Sequence, residues 1–272
     1  MEGLLLYVIL GIVAGLIGGL FGLGGGVVIV PLLIISFTAQ GFDAEILTHL
    51  AIGTSLATIV VTSISATWVH HQKKAVLWPV FVQLAPGIAI GAVLGGVIAA
   101  MLSGVLLQLV FGLLMVAVAI QFGLGVKPHA HRELPGGWVN GVAGSVIGVL
   151  SALFGIGGGS LTTPYLLWCN VSVHRSIATS AACGLPIGLF SAFSFMAAGW
   201  SITSLPQGAV GYIYLPAFIG ISLAATVSAR WGAQLAHRLP ALLLKRLFAL
   251  VIFVFGVRFI WLNGLALWGN GG

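Results

Sequence analysis

Charge is what this chain has least of. Of its 272 residues only 5% are Asp, Glu, Lys or Arg, against roughly 25% in soluble domains. So few solvated groups cannot cover a water-facing surface, and a packed soluble domain is excluded. Carboxylates are scarcer still: Glu2, Asp43, Glu45 and Glu133 are all there are. None falls within an apolar run, so no intramembrane carboxylate is available to balance a cation or relay protons. The two cysteines, Cys169 and Cys183, make neither a metal pair nor a disulfide framework. No cofactor or metal motif appears, and without any G-K-[ST] there is no P-loop to hydrolyse ATP. The net charge of +6 includes no basic run longer than Lys73-Lys74, which excludes a nucleic-acid partner. The start, Met1-Glu2-Gly3, lacks a basic n-region and a cleavage site, so the first apolar stretch reads as a retained membrane segment.

What the chain does have is apolar surface and glycine: 60% hydrophobic residues, mean hydropathy +1.19 and 40 glycines. Apolar runs fall at 4–21, 26–38, 48–69, 77–101, 104–125, 137–155, 159–169, 176–198, 210–231 and 241–262. A membrane span takes about 20 such residues, so the chain reads as an all-α polytopic protein of the lipid bilayer. The runs 26–38 and 159–169 are too short to cross as helices.

Each short run follows a glycine cluster, and the clusters are near copies. Leu20-Phe21-Gly22-Leu23-Gly24-Gly25-Gly26 matches Leu153-Phe154-Gly155-Ile156-Gly157-Gly158-Gly159, with Pro31 and Pro164 beyond them at the same distance. Downstream, Ala51-Ile52-Gly53-Thr54-Ser55 matches Ser176-Ile177-Ala178-Thr179-Ser180. The chain therefore reads as two repeats, 1–126 and 137–272, joined by a basic cytoplasmic linker over 127–136.

Charge decides the orientation of the repeats. If each glycine-broken unit crosses the membrane once, Lys and Arg divide evenly between the two sides. If each is a re-entrant hairpin, Lys73, Lys74, Lys127, Arg132, Arg175, Arg230, Arg238, Lys245 and Arg246 share one side, and only Arg258 remains opposite. The second arrangement is the one the positive-inside rule predicts. A hairpin followed by three spans is an odd number of crossings, so the second repeat is expected to be inverted, with both termini outside. The eight tryptophans fall near span ends, where indole rings prefer the interface.

Non-helical backbone at membrane depth survives only where protein or a water-filled cavity satisfies it. Two breaks entering from opposite faces would meet near the midplane. There Gly24, Gly25 and Gly26, with Gly157, Gly158 and Gly159, would open two short helices. Helix starts offer unpaired N–H groups and partial positive charge, and two aimed at one cavity make an anion site. Close packing of small residues is the competing role for the glycines. Thr54, Ser55, Thr179 and Ser180 occupy matching places and could donate to anion oxygens, or bond back to the preceding helical turn. Cys183, one turn past Thr179, could face the same cavity, though a buried inert thiol is the commoner outcome. Arg258 could line an outer vestibule or snorkel to the interface. An intramembrane enzyme would need a His or carboxylate beside Ser or Cys inside the membrane, and this reading places none there, so no catalytic residue is assigned.

The paired G-L-F-G-x-G-G-G…P pattern, the A-x-G-T-S segment and the repeated halves together resemble the TauE/SafE sulfite exporter family, also called the toluene-sulfonate uptake permease family. That resemblance implies a secondary permease of the bacterial or archaeal cytoplasmic membrane for small anions, chiefly sulfur oxyanions and organosulfonates. It carries the family's glycine positions to Gly22, Gly24, Gly25, Gly26, Gly155, Gly157, Gly158 and Gly159. Ala178 stands where the first repeat has Gly53, so the two half-sites need not be equivalent. The expected mechanism is alternating access; an anion channel and a membrane-embedded accessory subunit are the alternatives.

Overall fold

The computed structural model describes residues 2–21, 25–123, 134–236 and 241–269. In chain order the elements are α1 (Glu2–Phe21), α2 (Gly26–Ala39), α3 (Leu47–Gln72), α4 (Trp78–Met101), α5 (Gly104–Gly123), α6 (Gly137–Phe154), α7 (Gly158–Trp168), α8 (Val173–Ala198), β1 (Ala209–Val210), β2 (Ile213–Tyr214), α9 (Leu215–Ala236) and α10 (Ala241–Gly269). Over their described residues α3, α4, α6 and α8 are long and apolar enough to cross a membrane. Helices α1, α5, α9 and α10 run 20, 20, 22 and 29 residues, and 20 residues at about 1.5 Å each already reach the ~30 Å hydrocarbon thickness. The 14 residues of α2 and 11 of α7 do not. The all-α polytopic architecture read from the sequence is the one observed. The linker expected over 127–136 lies outside the described residues except for its last three.

One expected span is shifted. The run 210–231 does not start as a helix: Ala209–Val210 pair antiparallel with Ile213–Tyr214, and α9 begins only at Leu215. The reason is local. Gly208 and Gly211 both take positive φ, 88° and 53°, and turn the chain into a hairpin against the end of α8 before Pro216 opens the helix.

The helices associate in a pattern that survives exchange of the first five for the last five. Helix α1 lies along α9 as α6 lies along α4, α2 packs on α3 as α7 packs on α8, and α3·α9 mirrors α8·α4. The contacts α3·α8 and α5·α10 map onto themselves. Glycine makes the two tightest of these pairs possible. Gly11, Gly15 and Gly19 set α1 against the backbone of Ile221, Ala225 and Ala229, and Gly87, Gly91 and Gly95 set α4 against Gly141, Ser145 and Val149. Without a hydrophobic drive between helices in lipid, such close backbone approach supplies the attraction through dispersion. The packing role for glycine is thus real in these stripes, and the cluster glycines Gly26 and Gly158 share it. The outward surface is apolar, with Leu5, Val82, Ile90 and Leu223 exposed, and seven of the eight tryptophans (Trp68, Trp78, Trp138, Trp168, Trp200, Trp231 and Trp261) are exposed at or near helix ends.

Candidate functional site

Both glycine clusters interrupt the helix as expected, and of the register-matched pair Gly25 and Gly158 only Gly25 takes positive φ. At the first, Gly25 caps α2 in the left-handed region with φ 77°; Gly22 and Gly24 lie outside the described residues. At the second, Gly155 takes the left-handed turn with φ 63° as the C-cap of α6, and extended Gly157 precedes α7, which opens at Gly158. In the repeat register Gly158 matches Gly25, so the second short helix starts one residue earlier than the first. The Val28 and Ile29 N–H groups bond the Gly25 carbonyl at 3.0 Å and the Ser160 N–H bonds the Gly157 carbonyl at 3.3 Å, so the N–H groups ahead of them are the ones with no carbonyl in their own helix to bond. Pro31 and Pro164 lie inside α2 and α7, so each also removes the N–H that would have bonded the carbonyl four residues back.

The two breaks touch. A Cβ placed on Gly26 would lie 2.7 Å from the Gly155 carbonyl oxygen and 3.0 Å from the Ile156 Cα. Ser55 Oγ, on α3, donates to the same Gly155 carbonyl at 2.8 Å across the two halves. Ile59, one turn further along α3, borders both breaks, against Gly26 on one side and Gly157 on the other. Gly25, Gly26 and Gly155 through Gly159 are all buried. Gly158 packs on α8, at the Ser180 carbonyl and the Gly184 nitrogen.

The four hydroxyls singled out by position are buried and fall into separate roles. Thr54 Oγ1 accepts from the Tyr214 N–H at 2.9 Å, and Thr179 Oγ1 accepts from the Leu77 N–H at 3.0 Å. Each threonine therefore holds the residue just before the opening of the other half's fourth helix, α9 or α4. Ser180 Oγ lies 2.7 Å from Thr163 Oγ1 on α7 and donates back to the Ile177 carbonyl. Only Ser55 reaches the opposite break. Cys183 is completely buried. Arg258 lies on the exposed face of α10, in a groove of about 440 Å³ walled by Phe253, Val254, Val257, Trp261 and Leu262.

The structure adds polar groups that composition and spacing had not flagged. Ser151, Ser160 and Thr162 flank the second break with buried hydroxyls that have no partner among the described residues. In the repeat register α2 carries Val27 and Ile29 where α7 carries Ser160 and Thr162, so the two breaks differ in polarity. Tyr165 donates to Asn140 Oδ1 at 2.6 Å, and Asn140 donates to Gln83 Oε1 at 2.6 Å, tying α7 to α6 and α4. His49 is 4% exposed inside α3. The reading that no histidine is placed inside a span is corrected here, and the signal was available: His49 and His174 occupy matching positions ahead of Thr54-Ser55 and Thr179-Ser180.

Such a fold, with long apolar helices, two short helices in contact across halves of like packing and no charged side chain on α2 or α7, is that of an integral membrane protein. The sequence profile of the Sulfite exporter TauE/SafE family matches residues 7–259, and the chain belongs to that family. It is a membrane transporter. Among curated proteins, a probable membrane transporter protein of Haemophilus influenzae is 34% identical over 256 residues, covering 94% of this chain and 97% of the relative. The probable membrane transporter protein YunE of Bacillus subtilis is 26% identical over 274 residues, covering 93% and 96%. No solved structure matches the chain.

Proposed function

We propose that the protein is a secondary permease for small anions, sulfite or related sulfur oxyanions and organosulfonates. The anion is held near the membrane midplane between the starts of α2 and α7. The observation that carries this reading is the contact of the two breaks, Gly26 against Gly155 with Ser55 bridging them. It sets two helix N-termini, each with the partial positive charge of a helix start, close to one buried place. The acidic residues Asp43 and Glu45 are exposed in the loop ahead of α3, so these two carboxylates do not compete for the positive helix ends. Backbone N–H groups of Gly24 to Gly26 and Gly157 to Gly159 bind the anion, and hydroxyls of the Thr54, Ser55, Thr179 and Ser180 segments position or assist them.

Repeats 1–126 and 137–272, inverted and joined by the 127–136 linker, rock about this place and expose it alternately to each side of the cytoplasmic membrane, with both termini outside. The exchange-invariant helix contacts support the repeat, and the one-sided placement of Lys and Arg supports the inversion. Counterflow of labelled sulfite in proteoliposomes, with thiosulfate, sulfoacetate, sulfate and formate as competitors, tests the reading. Saturable exchange with a clear competitor order is expected. Flux that rises without saturation would assign a channel, and no flux from folded protein would remove anion transport.

A further inference from the structure

We infer that His49 is a proton-binding latch: neutral, it seals one end of the transport path, and protonated, it releases that end, with His174 as its counterpart at the other end. The inference rests on the alternating-access reading above. His49 Nε2 lies 3.0 Å from the Ala99 carbonyl and 3.1 Å from the Leu102 carbonyl, at the C-terminal end of α4. Both partners can only accept, so Nε2 carries the hydrogen. The ring stacks on Tyr212 at 5.0 Å between centroids and 27° between planes. One imidazole therefore clamps three elements: the start of α3, the end of α4 and the β1–β2 turn. The same turn is held again by Gly53, which lies against the Tyr212 carbonyl, and by the Thr54 bond to Tyr214.

Nδ1 is buried and has no partner among the described residues. In the neutral ring it is a lone pair, tolerable in an apolar seal. A proton there gives a buried N–H donor without an acceptor and a buried charge, both of which favour water. The α4 carbonyls strengthen the Nε2 bond to an imidazolium but offer nothing to Nδ1. No acidic or basic side chain sits on α2, α4 or α5, and the turn contributes Tyr212 and Tyr214. The carboxylates nearest in sequence are the exposed Asp43 and Glu45 of the preceding loop. Protonation thus shifts the equilibrium from sealed to open.

The repeat supplies the second half of the argument. His174 stands at the position matching His49, as the second residue of α8, and it is exposed. One histidine is sealed and its equivalent is open, the asymmetry of a carrier shut at one end. Rocking the halves exchanges the two environments, so each histidine takes up a proton as its own end opens and releases it as that end seals.

The test uses the full chain in nanodiscs, with Cys169→Ser and Cys183→Ala, and reporter cysteines at Ala99→Cys (buried) or Ala44→Cys (exposed). Maleimide labelling at 99 is divided by labelling at 44 to cancel the pH dependence of the reagent. Going from about pH 8 to about pH 5.5, the ratio is expected to rise at least ~5-fold. His49→Gln, which keeps an N–H donor but takes no proton, is expected to flatten it, and His174→Gln to leave the rise. A flat parent profile, or a rise that persists in His49→Gln, overturns the latch. Leu102→Cys and His49→Asn answer the same question if either first choice does not fold. The labelling requires no transport, so a negative counterflow result removes the anion reading while this experiment still decides the latch.

Discussion

Gly25 and Gly26 are adjacent, yet the structure assigns them opposite sensitivities. At Gly26 the obstacle is space: a Cβ would sit 2.7 Å from the Gly155 oxygen, 3.0 Å from the Ile156 Cα and 3.1 Å from the Ile59 Cδ1. Two of these atoms belong to backbone that cannot rotate away, so the breaks must part by about 0.7 Å to reach ordinary contact, an overpacking strain of about 1–3 kcal/mol. The same movement stretches the 2.8 Å Ser55–Gly155 bond, worth about 1 kcal/mol. Gly26→Ala should therefore cost about 2–4 kcal/mol, lowering the melting temperature by on the order of 10 °C for a chain of this size. At Gly25 space is ample, with nothing nearer than 3.6 Å, but φ is 77°. Ala there costs about 1–2 kcal/mol in the left-handed region, and Asn costs less. Melting of detergent-solubilised variants followed by size exclusion should rank Asn above Ala at 25 and Ala above Asn at 26. Parental stability of Gly26→Ala, or one common ranking at both positions, would refute contact between the breaks.

Further expectations concern the polar bonds. Ser55→Ala strands the buried Gly155 carbonyl and should cost about 1–2 kcal/mol, read as a lower melting temperature with unchanged yield. Thr54→Val and Thr179→Val each remove the acceptor of one backbone N–H, at about 1 kcal/mol apiece. As they serve different helices, the double variant should show the sum within about 0.5 kcal/mol. Asn140→Ala leaves both the Tyr165 hydroxyl and the Gln83 amide without their partner, so adding Tyr165→Phe should recover about 1 kcal/mol of the loss. Simple additivity in that melting cycle would contradict the Tyr165–Asn140–Gln83 chain.

Hydropathy located the helices because lipid demands long apolar segments wherever backbone crosses it, and the duplicated glycine clusters located both breaks. Hydropathy could not say which helices pair. In lipid both the packed and the outward faces are apolar, so Gly91 against Ser145 and Ile90 facing outward look alike in composition. The fourth segment of the second half was placed at 210 instead of 215 because Val210, Tyr212 and Ile213 are as apolar as the helix they precede. The turn depends on Gly208 and Gly211. Thr54 and Thr179 were visible as a repeated pair, but their partners are backbone N–H groups 160 and 102 residues away, which no local spacing encodes. His49 was legible only by aligning the halves, since a single histidine at the edge of an apolar run carries no pattern of its own.

The central claim, that one anion site is shared by the two breaks, is tested most directly by equilibrium binding of labelled sulfite to the purified protein, comparing Gly26→Val, Gly158→Val and the parent. The parent should bind about one anion per chain, and either substitution alone should remove it, because each disrupts one of two helix starts acting on a single ligand. Binding that survives both substitutions in folded protein, or two independent sites each lost with its own glycine, would contradict the account.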